Sequence, residues 1–238
     1  MLELDEWGIP IMEDQKDYEE KLRAVTHGKV VVVTAPDGKT LSKPFLRIQE
    51  NYEGRKYKGK FVSMSRFKKW YKHHHRSTGF TYYEDWLGFN FPGKAVLEFL
   101  DLYGGHENDA EKALISKFDL GKLPGQYVIG ILEGDHGTLL HEMAHALFYL
   151  DSEYQEAAVS YLQKMEHLKE LEDAFAKSDY HNSVWLDEMQ AYLIANIGDL
   201  DVRGKPLDDL KRFDQIVMDL KSLFAQHVSK YPEVKALI

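Results

Sequence analysis

The run from Thr138 to Leu150 leaves this chain little freedom in how it can fold. Leu139, Met143, Ala146, Leu147 and Leu150 recur at intervals of three and four, and Leu140, Ala144 and Phe148 widen the stripe, so the spacing predicts a helix that is apolar around most of its circumference. Such a helix belongs inside the molecule, with other elements packed on several sides. Three polar side chains, His141, Glu142 and His145, share its one remaining seam, where burial without partners would be costly. Imidazoles four residues apart stand one above the other on a helical face, so a single metal ion can bridge them. The alternative is a buried histidine pair satisfied by backbone carbonyls.

In a helical His-Glu-x-x-His pattern the two histidines hold Zn²⁺, and the glutamate beside the first reaches water in the open metal position. A catalytic zinc takes three protein ligands, so a third donor has to exist. Asp151 lies six residues after His145, at the spacing of the elongated pattern, but that version needs a glycine at 148 to turn the chain back, and Phe148 stands there. The other candidate is Glu188, on a helix predicted over Ser183 to Ile197 and stopped by Gly198. Leu186, Met189, Leu193 and Ile197 form the core stripe of that helix. Glu188, Ala191, Tyr192 and Ala195 share a different face, whose small alanines would let a second helix approach closely.

With these residues, the chain resembles zincin metallopeptidases of the gluzincin type over roughly residues 126–198, where a motif helix contributes two histidines and a later helix a glutamate. The resemblance implies one Zn²⁺ per chain on His141, His145 and Glu188, with Glu142 as general base in hydrolysis of a peptide bond. It implies an α+β zincin-like fold; the chain as a whole reads as a small mixed N-terminal region (1–93), either a separate module or part of the same domain, and a mostly helical catalytic region (94–238). Gluzincins carry an aspartate four residues after the ligand glutamate, bracing a zinc histidine, and here that position is Tyr192. Asp187 is the candidate brace in its place. Tyr192 and His181, with Tyr180 beside them, are candidate donors to the oxyanion of the reaction. The segment Gln126 to Leu132 reads as a strand and Glu133 to Gly137 as the turn into the motif helix. In zincins such a strand borders the cleft, where an extended peptide can add to an exposed edge; an interior position is the alternative here.

The absence of cysteine excludes disulfides and thiolate metal sites, leaving His and carboxylate as the strong zinc ligands. The acidic start Met1-Leu2-Glu3-Leu4-Asp5-Glu6 is unlike a secretory leader, and no apolar run is long enough to span a bilayer, so a cytoplasmic location without membrane contact is expected, with leaderless export left open. Net charge is −9 but uneven: from Gly54 to Tyr83 there is no acid and there are nine basic residues, which puts the remainder at −18. Tyr57, Phe61, Phe67, Trp70 and Tyr71 interleave with those bases. A solvated basic helix with an aromatic core side explains the pattern, and so does docking of an acidic partner or substrate; nucleic acid is the least favoured occupant. His73-His74-His75 point in different directions on a helix and read as a mobile polar end. A zinc-bearing interaction protein that uses segment 54–83 is therefore the alternative to the hydrolase.

Elsewhere the pattern predicts a strand over Lys29 to Thr34, a turn at Pro36 to Lys39, an extended stretch from Phe45 to Gln49 and a loop from Tyr52 to Gly59. Helices are predicted over 64–75, 94–103 and 107–118, as one long element over 152–177, and over 207–228. The aromatic-rich Phe80 to Phe91 reads as core or as the lining of a substrate subsite.

Overall fold

The computed structural model describes residues 14–177, 180–195 and 210–238. Four strands, β1 (Arg23–His27), β2 (Val30–Ala35), β3 (Gly88–Pro92) and β4 (Tyr127–Leu132), form one sheet in the order β1-β2-β4-β3. The central pair β2 and β4 is parallel, with Val31 opposite Val128, while β1 and β3 lie antiparallel on the outside. The central strands are almost wholly apolar, as strands covered on both faces should be. Side-chain alternation divides them: Val30, Val32, Ile129 and Ile131 enter one core, and Val31, Val33 and Val128 the other. Segments 1–93 and 94–238 therefore contribute to a single sheet. The segment read as a possible edge is the interior strand β4, and the edge falls to β3, hidden in the sequence within the aromatic run Phe80 to Phe91.

On one face lie α1 (Gln15–Lys21), α2 (Gly38–Tyr52), α3 (Met64–His74), α4 (Tyr82–Asp85), α5 (Gly93–Tyr103) and α6 (Asp109–Ser116). The expected turn and extended stretch before Tyr52 are instead the start and body of α2. Asp37 caps that helix, accepting from the Thr40 backbone N–H at 2.8 Å and the Thr40 hydroxyl at 2.7 Å. Leu41, Phe45 and Ile48 then follow a helical period and are all fully buried, and Pro44 is accommodated inside the helix. Phe45 covers β4 at Gly130, where a Cβ would come within 2.6 Å of its ring. The Arg47 guanidinium forms a buried two-pronged pair with Glu111, tying α2 to α6. At the end of α3 His73, His74 and His75 are exposed, and two of them meet rings of the same helix: His74 stacks on Trp70 with centroids 5.1 Å apart, and His75 on Tyr71 at 4.0 Å.

The opposite face carries α7 (His136–Leu150), α8 (Ser152–Leu162), α9 (Leu168–Phe175), α10 (Trp185–Ala195), α11 (Asp214–Val228) and α12 (Pro232–Lys235). The single helix expected over 152–177 is broken at 163–167. A straight helix of that length would run about 39 Å. The break lets Leu162 on one piece and Leu171 and Phe175 on the other reach the same core. Gly198, read as a helix stop, and residues 207–209, read as a helix start, lie outside the described residues. Among the described residues no helix is long and apolar enough to cross a membrane.

Candidate metal centre

The chain leaves β4, turns at Gly134 with φ +82°, and enters α7 behind Asp135, whose carboxylate accepts from the Thr138 N–H at 3.0 Å and its hydroxyl at 2.7 Å. This cap starts the helix where the motif seam faces α10. His141 and His145 then bring their Nε2 atoms to 3.2 Å from each other. Glu188, on α10, completes a triangle: its Oε2 lies 3.9 Å from His141 Nε2 and 3.7 Å from His145 Nε2. Ala191, fully buried one turn on, keeps the helix pair close. Glu188 Oε2 is itself buried and has no hydrogen-bond partner. A buried carboxylate oxygen left so is unfavourable unless a proton or a cation joins it, and burial, against the opposing effect of His145, raises the Glu188 carboxyl well above its usual range. Donors about 2.0–2.1 Å from a tetrahedral zinc stand about 3.3 Å apart, so these three atoms suit such an ion with small adjustments.

Asp187, the residue before Glu188, accepts from His145 Nδ1 at 2.8 Å and from Gln190 Nε2 at 3.1 Å. Gln190 in turn accepts from the Tyr154 hydroxyl at 2.7 Å. The chain Tyr154-Gln190-Asp187-His145 fixes the ring so that Nε2 faces the triangle, the arrangement that orients metal-binding histidines. Burial disfavours a charged His145, but Asp187 and Glu188 outweigh it and raise the ring well above the usual histidine range. His141 is pushed well below that range by burial and by its neighbour's charge.

Glu142 points from the same helix toward β3. Its Oε2 accepts from Asn90 Nδ2 at 2.7 Å, and Asn90 Oδ1 accepts from the Tyr127 hydroxyl at 2.5 Å. Gly88 makes room for the carboxylate, since a Cβ there would lie 2.2 Å from Glu142 Oε1. Burial pushes Glu142 up to about 7, against the opposing effects of His145 and Asn90.

A further carboxylate had no signal in the sequence. Glu53 sits at the C-cap of α2 and is buried, with its Oε1 accepting from Gln49 Nε2 at 2.5 Å. Gln49 Oε1 accepts from the Asn90 backbone N–H at 3.1 Å, so one polar network links Glu53 to the strand that holds Glu142. Burial, opposed by His145 and Gln49, raises Glu53 to about 8. Its loop is pinned by a Gly54–Tyr180 bridge and by the His181 N–H donating to Glu53 O at 3.0 Å. Asn90 did carry a signal: an amide between Phe89 and Phe91 in an apolar strand calls for a buried partner.

The other expected site residues divide. Tyr192 lies over His141 with ring centroids 4.7 Å apart, shares a hydrogen bond with Tyr180, and both line the cleft above the triangle. His181 is absent from that lining. Its Nδ1 accepts from the Ser183 N–H at 3.3 Å and caps the short turn Asn182–Val184, so the imidazole expected near the metal serves the start of α10 instead. Asp151 is engaged elsewhere, capping α8 through the Tyr154 N–H at 3.0 Å and meeting His227 Nδ1 at 3.0 Å, with Lys230 at 3.5 Å. The cleft has a volume of about 1480 Å³ and also includes Glu53, Gly88 and Asn90. The chain matches no family profile, no curated protein and no solved structure.

Proposed function

We propose that the chain is a zinc-dependent hydrolase of peptide bonds. The observation that carries this reading is Glu188 Oε2, buried without a hydrogen-bond partner and facing two imidazole nitrogens within 3.9 Å, next to a separately held glutamate. His141, His145 and Glu188 would hold the ion. A zinc ion there supplies Lewis-acid chemistry, polarising a carbonyl and bringing the pKa of water to about 7. Three protein donors leave a position open for chemistry, whereas a structural zinc is closed by four; among the described residues no fourth donor atom joins this cluster.

Glu142 is kept off the metal set by Asn90, which occupies its Oε2 and leaves Oε1 toward Gly88 and the cleft. In that position Oε1 takes a proton from the attacking water and returns it to the leaving amine nitrogen. In the metal-free protein burial holds this carboxyl near 7, and a cation on the neighbouring histidines would lower it toward the carboxylate form that a base requires. Tyr192, whose ring lies beside His141, would donate to the developing oxyanion. The edge strand β3 borders the cleft at Gly88 and Asn90, and an extended peptide lying along it would pass Glu142.

Elemental analysis together with cleavage of a diverse peptide library provides the test. One zinc per chain, lost in His141→Ala, and chelator-sensitive cleavage that falls by about a hundredfold or more in Glu142→Gln with zinc retained are the expected results. Zinc-loaded protein that cleaves nothing in the library would defeat the reading.

A further inference from the structure

The cleft does not end at the metal triangle. Its lining continues to the C-terminal end of α3, where Tyr71, His75, Arg76 and Ser77 form part of the wall. This helix carries the middle of the acid-free basic segment 54–83. Arg66, Lys69, Lys72 and Arg76 are all exposed, and among the described residues none of them meets a carboxylate within ion-pair distance. Asp85, on the same wall, is occupied by the Tyr71 hydroxyl and the Thr81 hydroxyl, each at 2.7 Å.

Arg76 is also the one non-glycine among the described residues with positive φ, at 52°. It follows the C-cap of α3, where the Ser77 N–H donates back to Lys72 O at 3.1 Å and closes the helix. Glycine normally takes this left-handed position because a side chain is strained there. The chain instead keeps a guanidinium at the cleft wall, on a helix end where His74 stacks on Trp70 and His75 on Tyr71.

The aromatic residues of the segment decide between polyanions. Single-stranded nucleic acid needs exposed rings for its bases to stack on. Tyr57, Phe67 and Tyr71 are buried, Trp70 is covered by His74 and by the Lys56 ammonium 5.2 Å from its ring, and Phe61, 45% exposed, packs against Tyr103 with centroids 4.7 Å apart. The surface thus offers a row of charges with a single half-exposed ring, Phe61, itself engaged by Tyr103, which suits carboxylates on a polypeptide better than a run of stacked bases. Arg76 lines the cleft at the end of α3 and not at the metal triangle, so the acidic residues belong beside the scissile bond and not across it. From Arg66 to Arg76 the basic stripe spans about 15 Å, the reach of four to five extended residues.

We propose that the exposed basic face of α3, ending in Arg76 at the cleft wall, binds an acidic stretch of polypeptide substrate flanking the bond presented to the metal centre. The proposal rests on the hydrolase reading, and its test separates the two. Zinc-loaded Glu142→Gln protein is titrated, by fluorescence anisotropy, into a labelled decapeptide with five consecutive glutamates and into the same peptide with glutamines in their place. The glutamate peptide should bind at least about tenfold tighter at low salt, with the preference fading toward 0.5 M salt as screening shortens the reach of the charges to about 4–5 Å. Combined Arg66→Glu, Lys69→Glu and Arg76→Glu should remove the preference, while reversal of exposed Lys112, Lys164 and Lys221 should leave it; circular dichroism and zinc content verify that each variant is folded. Equal binding of the two peptides, or a preference that survives reversal of the α3 charges, overturns the proposal. An oligothymidylate that displaces the glutamate peptide at lower concentration overturns it in favour of nucleic acid. Charge-selective binding by wild-type protein that cleaves no peptide would uphold the surface and defeat the hydrolase.

Discussion

Gly88→Ala tests the placement of Glu142 without touching any metal donor. The added Cβ would lie 2.2 Å from Glu142 Oε1 and 2.5 Å from Thr138 Cγ2, both on α7. Non-bonded heavy atoms settle near 3.5 Å, so the carboxylate has to retreat by about 1 Å. It cannot do so freely, because its Oε2 is held by Asn90 at 2.7 Å and α7 is packed against the sheet. Displacements of about 1 Å in a catalytic group cost about a hundredfold in rate, within the range of a general-base contribution. The backbone itself accepts alanine, since Gly88 is not among the positive-φ glycines. Overpacking strain of about 1–3 kcal/mol should appear as a lower melting temperature. The assay is kcat/KM on a cleaved library peptide, with zinc content and thermal melts on the same samples. Gly79→Ala, with open space around its Cβ, is the neutral control. On the Glu142→Gln background the Gly88 substitution should add little further loss, because the group it displaces has already been disabled. Wild-type kcat/KM in Gly88→Ala, or a full additional loss on that background, would refute the reasoning.

Three other outcomes follow from the same contacts. Glu188→Ala should lower zinc affinity by orders of magnitude in a metal-competition titration; Asp151→Ala should leave zinc binding intact and lower stability by about 1 kcal/mol through the lost cap. Arg47→Met leaves Glu111 buried without its partner and should destabilise the fold by about 3–5 kcal/mol in denaturant unfolding, with metal content unchanged; a smaller loss than about 1 kcal/mol would mean that Glu111 finds other solvation. Glu142 and Glu53 bind protons more tightly in the folded chain, at about 7 and about 8 against 4.5. Their contribution is therefore complete below about 4.5 and is lost as pH rises through 7 to 8, so metal-free protein should melt at lower temperature at pH 9 than at pH 6, and Glu53→Gln should flatten that trend.

Much of the motif helix was legible because its information is local. The 3-and-4 spacing of Leu139, Met143, Ala146 and Leu147 is read within a few turns, and it puts His141 and His145 on one face however the rest of the chain is arranged. The apolar runs of β2 and β4 were visible for the same reason. Phe45 to Gln49 was not, since a short apolar run fits a strand as well as a helix, and the Asp37 cap decided for the helix. The break at 163–167 also escaped a purely periodic reading, because the apolar spacing continues across it.

The sequence by itself thus determined the elements whose pattern repeats within a few residues, together with the paired imidazoles and the glutamate between them. Tertiary structure decided which distant groups share their cavity. Asp187 meets His145 across 42 residues and Asn90 meets Glu142 across 52, and nothing in the local spacing of either pair specifies the contact. The sheet order placed β3 and not β4 at the edge, packing brought buried Glu53 to the same network, and the start of α10 drew His181 away as a cap. The reason is physical: periodicity expresses which face of an element avoids water, whereas pairing between elements depends on sheet order and on the need of each buried donor and acceptor for a partner.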